Sequence, residues 1–254
     1  MDRLKLYKTE AIVLKHQPIG EADRVVTLYT PYLGKVRAVA RGARRTKSRL
    51  AGHLEPLTKT QVLIRRGRTL DTISQSETIV SNIELRADLW RMSCGLYIAE
   101  LVDQFTQEQL ENSSLYKLLA EGLSTLATTS EIDLHLRSFE LRLLHLTGYR
   151  PELQHCVECT TPLSPSMNYF SPSAGGVLCS SCRHKHSLLR PLSLNALKVL
   201  RLLSSSGGAS QTSVRLPEEL AQELEGTMRQ YIHYLLDREV KSTGFLDLLR
   251  REGR

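Results

Sequence analysis

The sequence predicts an α+β multidomain chain: a small N-terminal β-barrel, then an all-α part that carries a metal-binding insert. Three observations predict it. Short β-rich runs fill the first 80 residues, apolar residues then recur at three- and four-residue steps, and two Cys-x-x-Cys pairs stand 19 residues apart. β-branched and aromatic runs between turn residues mark strands, and a period near 3.6 marks helices.

The strands come in order. Ala11-Ile12-Val13-Leu14 ends before Pro18 and Gly20, and Val25-Val26-Thr27-Leu28-Tyr29 ends before Pro31 and Gly34. Val36 to Ala40 precedes Gly42, Gln61 to Ile64 precedes Gly67, and Leu70 to Val80 closes the series. Five strands are the count of a small closed barrel, which leaves no sheet edge exposed. The oligonucleotide-binding (OB) fold is the leading candidate, and an SH3-like barrel gives a similar pattern.

Helices follow. Leu85, Leu89, Met92, Leu96, Ala99, Val102 and Phe105 lie on one helical face behind Asn82 as cap. Leu115 to Leu126 repeat the pattern behind Asn112 or Ser113, and Leu136 to Leu144 repeat it up to Gly148 and Pro151, a stop signal. Leu194 to Leu203, capped by Ser193, and Pro217 to Asp237 complete the set, with Ser204 to Ser213 an exposed loop between them. The expected division is a barrel at 1–82, a helical domain at 83–152 and 190–254, and a cysteine-bearing subdomain at 153–189.

Composition narrows the function. With 254 residues, 41% of them hydrophobic and 24% charged, the chain has the profile of a globular protein. No apolar run reaches the roughly 18 residues of a membrane span, and no signal-peptide segment follows Met1, so a cytoplasmic protein is expected. Phosphate-loop, His-Glu-x-x-His and nucleophile-elbow motifs are absent, which argues against an enzyme. Glu21 and Asp23 are conceivable as a nuclease pair, but two isolated carboxylates beside a turn are more often surface residues.

The charge is concentrated. Residues 1–80 carry 16 Lys and Arg against 7 Asp and Glu, and the remainder carries 18 against 20. Between Asp23 and Glu55 no acidic residue occurs, while Arg24, Lys35, Arg37, Arg41, Arg44, Arg45, Lys47 and Arg49 all do. Arg41 to Arg49 is expected as a flexible cationic loop that follows a phosphate backbone with little sequence preference. A solubility patch is the bland alternative. Aromatics for base stacking are few, only Tyr7, Tyr29 and Tyr32 in residues 1–82, so phosphate contacts should dominate and leave base edges free to pair.

Cys156, Cys159, Cys179 and Cys182 have the spacing of a four-thiolate zinc site, each knuckle presenting two sulfurs to one side of a tetrahedral ion. Pro162, Pro165, Pro172, Gly175 and Gly176 suit the hairpin of a zinc ribbon. Four protein ligands leave no open position, so one structural Zn²⁺ per chain is expected. Arg183, His184, Lys185 and His186 stand where they offset its negative charge. His155, His184 and His186 are substitute ligands in principle, and Cys94 reads as a small buried hydrophobe. On metal and charge alone, a zinc-ribbon nucleic-acid-binding regulatory factor is an alternative.

Over about residues 5–190 the chain resembles the RecO family of bacterial recombination mediators. The resemblance rests on Gly20-Glu21-Ala22-Asp23, Ala40-Arg41-Gly42-Ala43-Arg44-Arg45, Lys47-Ser48-Arg49-Leu50, Leu54-Glu55-Pro56-Leu57, Tyr97-Ile98-Ala99-Glu100-Leu101 and Phe139-Glu140-Leu141-Arg142-Leu143-Leu144. It implies an OB-fold barrel, a helical domain with a zinc subdomain, and DNA repair by annealing strands and loading RecA. The implied partners are single- and double-stranded DNA, RecR, RecF, RecA indirectly, and the acidic tail of single-stranded-DNA-binding protein, with no membrane. Arg37, Arg41, Arg44, Arg45, Lys47 and Arg49 match the family's DNA-contacting region. Arg137, Phe139, Leu141 and Leu144 match the segment where the acidic tail docks, although the helix-core reading of these residues competes. Thr160 departs from the pattern of many family members and zinc knuckles, which have Gly after the second cysteine.

Overall fold

The computed structural model describes residues 6–205 and 215–251. Five strands, β1 (Leu6–Ile19), β2 (Asp23–Thr30), β3 (Gly34–Ala40), β4 (Lys59–Arg65) and β5 (Asp71–Val80), close into a barrel in the order β1-β2-β3-β5-β4. β1 is far longer than its apolar run because it serves two neighbours. Its first half pairs with β4 and its second half with β2, and a register shift between Val13 and Lys15 bends the strand between them. The parallel β3–β5 pairing, Ala38 with Asp71 and Val39 with Thr72, completes the OB-fold path rather than the SH3-like one.

Alternation along the strands builds the barrel core from Val13, Val26, Leu28, Val36, Ala38, Val62, Ile64 and Ile73. The start of β3 does not pair with β5. There the chain segment after the second helix covers the strand: Gln109 N–H donates to the Lys35 carbonyl at 2.9 Å, and Lys35 bridges to Glu108. Gly34, at φ +60°, permits this approach, because a Cβ would collide with the Leu110 carbonyl.

Helices α1 (Ile83–Ala87), α2 (Leu89–Phe105) and α3 (Ser113–Thr128) follow, with a break at Asp88 that the sequence pattern does not reveal. Asp88 caps α2 by accepting from Arg91 N–H at 3.0 Å, and Asn112 caps α3 through Leu115 N–H at 3.0 Å. Asn82 instead adopts a left-handed conformation and donates its amide to the Leu57 carbonyl at 2.7 Å. A C-terminal helix, α7 (Lys241–Arg251), packs on α2; Glu100 accepts from the Lys241 and Ser242 N–H groups, and the Arg250 guanidinium lies 5.2 Å from the Trp90 ring centre. This helix is not among those expected from the sequence, although Phe245, Leu246, Leu248 and Leu249 have helical spacing.

The contacts divide the chain into two compact units. Residues 1–128 and 241–254 form one, and residues 129–240 the other, so α1–α3 and α7 group with the barrel. This division cuts the helical stretch at Thr128 rather than after the barrel. The second unit holds α4 (Ile132–Leu146), β6 (Asn168–Ser171), β7 (Gly176–Leu178), β8 (Arg190–Leu192), α5 (Leu194–Ser204) and α6 (Glu218–Leu236). Ser193 caps α5 as expected, accepting from Ala196 N–H at 3.1 Å. Most of the expected Ser/Gly loop lies outside the described residues. Among the described residues no helix is long and apolar enough to cross a membrane.

Asp103 on α2 ties that helix to the barrel, bonding Lys15 at 2.5 Å and Lys35 at 3.2 Å. Burial works to raise the pKa of Asp103, but the two ammonium groups outweigh it and hold the carboxyl below its usual range. A depressed native pKa gives stability that is present above the unfolded value of about 3.9 and lost as pH falls through the native value. Asp103→Asn should therefore lower the urea midpoint near neutrality, and the gap to the unsubstituted protein should narrow as pH is lowered from 5 toward 3. A gap constant with pH would show that the ion pair does not carry the difference.

Candidate nucleic-acid interface and metal centre

The segment after β3 is not the free loop expected from its glycine and its charges. It folds as consecutive turns fixed at both ends. Gly42, at φ +66°, donates its N–H to Asp23 Oδ1 at 2.7 Å, Arg44 N–H reaches the Ala22 carbonyl at 2.9 Å, and Ser48 N–H reaches the Arg45 carbonyl at 3.0 Å. Ala43, 1% exposed, inserts into the barrel core, and Leu50 packs against that core. The apolar residues turn in, so Arg41, Arg44, Arg45, Lys47 and Arg49 turn out, and all five are exposed. Asp23 is thus an anchor of this turn, and no metal-holding cluster of the described residues includes it or Glu21.

The eight cations of the acid-free window separate into two groups. Arg41, Arg44, Arg45, Lys47 and Arg49 form no ion pair with any described residue, and Arg44 only donates to the Gly20 carbonyl at 3.1 Å. Arg24 instead bonds Glu55 at 2.9 Å, with His16 at 3.4 Å from the same carboxylate. Burial tends to raise the Glu55 pKa, and the bonds from Arg24 and His16 bring it below its usual value. Lys35 is 11% exposed and held by Asp103. Arg37 reaches Glu108 at 3.6 Å with both groups about half exposed, a pairing of little strength that leaves its charge available. Proximity in sequence could not distinguish the committed cations from the free ones, because Glu55, Asp103 and Glu108 lie outside the window.

Of the three tyrosines, Tyr29 is fully buried and its hydroxyl pKa is pushed up to about 12 by burial, so it cannot stack on a base. Tyr7 donates its hydroxyl to Asp71 at 2.9 Å. Tyr32 alone is well exposed, at 70%.

In the second unit, Arg137, Phe139, Leu141 and Leu144 on α4 are all buried, none more than 4% exposed. Arg137 is bonded to the fully buried Glu140 one turn on. These four side chains are helix core, the competing reading of the sequence, and none of them offers a surface to an acidic tail. A helical arginine three residues before a glutamate pairs within its own helix, which is the signal that the sequence pattern contained.

The four cysteines converge as their spacing requires. Their sulfurs all lie within 4.8 Å of one another, and Cys159 and Cys179 Sγ are 3.9 Å apart. A tetrahedron with Zn–S bonds of about 2.3 Å has sulfur edges of about 3.8 Å, so the set has the dimensions of a four-thiolate metal site. The two knuckles flank the β6–β7 hairpin, and β8 adds to β6 to give the sheet order β7-β6-β8. Burial opposes ionisation of Cys156, but N–H groups of Cys159, Cys179 and Glu158 aimed at its sulfur lower its pKa overall. Cys159 is lowered to about 6, first by Thr161, while Cys182 is pushed up to about 12 by burial and then by its neighbouring thiols. Four thiolates at these distances repel each other without a cation between them, which is the charge problem that a divalent ion solves.

The flanking chemistry also fits. Glu158 in the first knuckle bonds Lys185 at 2.8 Å and His186 at 3.3 Å beyond the second, latching the two together. His155, His184 and His186 are not part of the sulfur cluster, and Cys94 is fully buried in α2. Thr160 has φ +59°, so the position does require the left-handed conformation that glycine adopts without strain.

Comparisons with known proteins agree over both units. Residues 1–82 match the family model "Recombination protein O N terminal", and residues 86–244 match "Recombination protein O C terminal". The DNA repair protein RecO of Roseiflexus sp. (strain RS-1) is 41% identical over 249 residues, covering 98% of this chain and 88% of that protein. Its counterpart in Dehalococcoides mccartyi (strain ATCC BAA-2266 / KCTC 15142 / 195) is 37% identical over 245 residues, 96% of each chain. That of Symbiobacterium thermophilum is 38% identical over 253 residues, 97% of this chain and 99% of the other.

Proposed function

The chain belongs to the RecO family of DNA repair proteins, and from that premise we propose that it is a mediator that binds single-stranded and duplex DNA and anneals complementary strands. It acts with RecR, and with RecF as a further partner, to load RecA on strands coated with single-stranded-DNA-binding protein. It works in the cytoplasm at the nucleoid, without catalysing a covalent step.

The observation that supports this reading most is the turn-bound set Arg41, Arg44, Arg45, Lys47 and Arg49, exposed and free of ion pairs with described residues. Five such cations bind a phosphate backbone through counterion release. With Tyr29 buried, Tyr32 is the one well-exposed tyrosine of the barrel left to stack on a base, and a strand gripped mainly by its phosphates keeps its pairing edges open. Arg37 belongs to the same contact set. Arg24 and Lys35 support it from within ion pairs. The four cysteines hold one Zn²⁺, which supplies structure when bound: it neutralises the thiolates and fixes the two knuckles. A zinc-ribbon regulatory factor is disfavoured by family membership over both units.

The test is annealing of complementary oligonucleotides coated with the cognate single-stranded-DNA-binding protein, without nucleotide triphosphate, across a salt series. Annealing that is fast at low salt and fades as salt rises is expected. Binding of bare DNA with no annealing of coated strands would overturn the mediator reading.

A further inference from the structure

A second cationic feature lies outside the acid-free window. Arg65 ends β4 and Arg66, Gly67 and Arg68 begin the turn to β5, and the three arginines are exposed without an ion pair to any described residue. The turn is held in shape by Asp71, whose two carboxylate oxygens accept from Gly67 N–H at 3.0 Å and from the Tyr7 hydroxyl at 2.9 Å. Arg66 lies over the Tyr7 ring, 5.1 Å from its centre, which positions its charge without neutralising it.

Strand register connects this turn with the basic loop. On β4 the odd-numbered residues Gln61, Leu63 and Arg65 face outward while Thr60, Val62 and Ile64 are buried. Lys8 on β1 and Gln75 on β5 flank Leu63 on either side. Along this outer face runs a groove of about 960 Å³, floored by Gln61, Leu63 and Gln75 and bordered by Lys8 and by Ser48 and Arg49 of the basic loop. Its one carboxylate, Glu77, pairs with Gln61, at the end away from Arg65. No Phe, Tyr or Trp lines it, and its one ring, His53, is bonded through Nδ1 to Thr78. The groove has Lys8 and Arg49 in its lining beside neutral amide and hydroxyl side chains, and Arg65 comes next along the outward row of β4, an arrangement that matches the sugar-phosphate backbone of one strand.

We infer that a single DNA strand runs from Arg49 along the outer face of β1, β4 and β5, past Lys8, to the Arg65-Arg66-Gly67-Arg68 turn. This rests on the reading of the barrel as a DNA-binding module and gives that module a second, distinct contact surface. The two cationic ends are separate, so the inference makes affinity depend on strand length: a short oligomer occupies the basic loop alone, and a longer one reaches the turn.

The experiment measures binding of labelled oligothymidylates of about 6 and about 16 nucleotides, which bracket the site sizes of such barrels. The full-length protein is compared with the variant Arg65→Ser/Arg66→Ser/Arg68→Ser over a salt series. The longer oligomer should lose at least about tenfold in affinity, with its log–log salt slope reduced by about 2, from the single-strand coefficient of roughly 0.7 per phosphate. The shorter oligomer should change little. Gln61→Glu with Gln75→Glu, which charges the floor without touching the turn, should cause the same selective loss. If neither variant affects the longer oligomer, or only the arginine variant does, the groove path is overturned. A parallel Arg41→Glu/Arg44→Glu/Arg45→Glu variant separates the two readings. If it alone loses binding, the barrel still binds DNA and only the groove fails; if the unsubstituted protein binds neither oligomer, both readings fall.

Discussion

Changing Arg41, Arg44 and Arg45 together to Glu should reduce single-stranded DNA affinity by about two orders of magnitude near physiological salt while leaving the fold intact. Each contact between a guanidinium and a phosphate is worth about 1 kcal/mol or more, and three lost contacts make a factor of about 10² before any repulsion from the new carboxylates. The fold should survive because the structural members of this segment are other residues: Ala43 in the barrel core, and the bonds of Gly42 N–H to Asp23 and Arg44 N–H to the Ala22 carbonyl, the second made by the main chain. Replacement by Glu removes only one bond of the native loop, from the Arg44 guanidinium to the Gly20 carbonyl. The salt slope should fall by about 2, and a mutant whose affinity drops with an unchanged slope would show that these arginines act on folding or on something other than phosphate. Lys35→Ala should behave differently. It removes one partner of the Asp103 carboxylate, so it should lower stability, with a smaller effect on DNA affinity once folded protein is compared with folded protein.

The contrast between Lys35 and Arg45 shows where the sequence was legible and where it was not. Strand and helix positions follow from period, because burial of one face is a local consequence of spacing. The barrel was therefore readable from five runs, and the cysteine cluster from two knuckles whose geometry is largely set by the four residues of each. Apart from Glu140, which is one turn from Arg137, the partners that decide the missing pieces are distant in sequence. Asp103, 68 positions from Lys35, withdraws that lysine from the surface. Glu140 and the core around α4 bury Arg137, Phe139, Leu141 and Leu144, which sequence resemblance had placed at a docking groove. Helix α7 does carry a helical apolar spacing, Phe245, Leu246, Leu248 and Leu249, but it is short and buries only Leu246, and much of its anchorage comes from Glu100 at its N-terminus and Trp90 beside Arg250, partners far off in sequence. Gly42 suggested a flexible loop; the structure uses its positive φ to make a tight one, closed by an acid 19 positions earlier.

Loss of the proposed zinc should unfold the sheet between the cysteine knuckles, and Cys156→Ser is the substitution that should show it most clearly. Cys156 is 1% exposed and its sulfur accepts from Cys179 N–H at 3.4 Å, so it links the first knuckle to the second even before a metal is counted. The hairpin between the knuckles has only seven strand residues, four in β6 and three in β7, too few to stand alone in water. Structural zinc contributes roughly 10–16 kcal/mol in small zinc-binding peptides, which matches or exceeds the whole stability of a typical domain. A chelator, or acidification sufficient to protonate the thiolates, should therefore expose the amides of β6 and β7 to hydrogen exchange. The effect should reach α6 at Tyr231, whose ring packs edge-on against Phe170 at 5.2 Å. The helical core of α4–α6, built on residues such as Leu144, Leu197, Leu200, Leu224 and Met228, should hold its own protection longer. Cys94→Ala is the control: Cys94 is buried in α2 away from the sulfur cluster, so that variant should retain one metal per chain. Retention of full metal stoichiometry and unchanged β6–β7 protection in Cys156→Ser would sink the four-thiolate site. DNA binding by the same variant should stay within a fewfold of the unsubstituted protein, because the proposed phosphate contacts belong to the unit that contains the barrel, and the cysteines belong to the other.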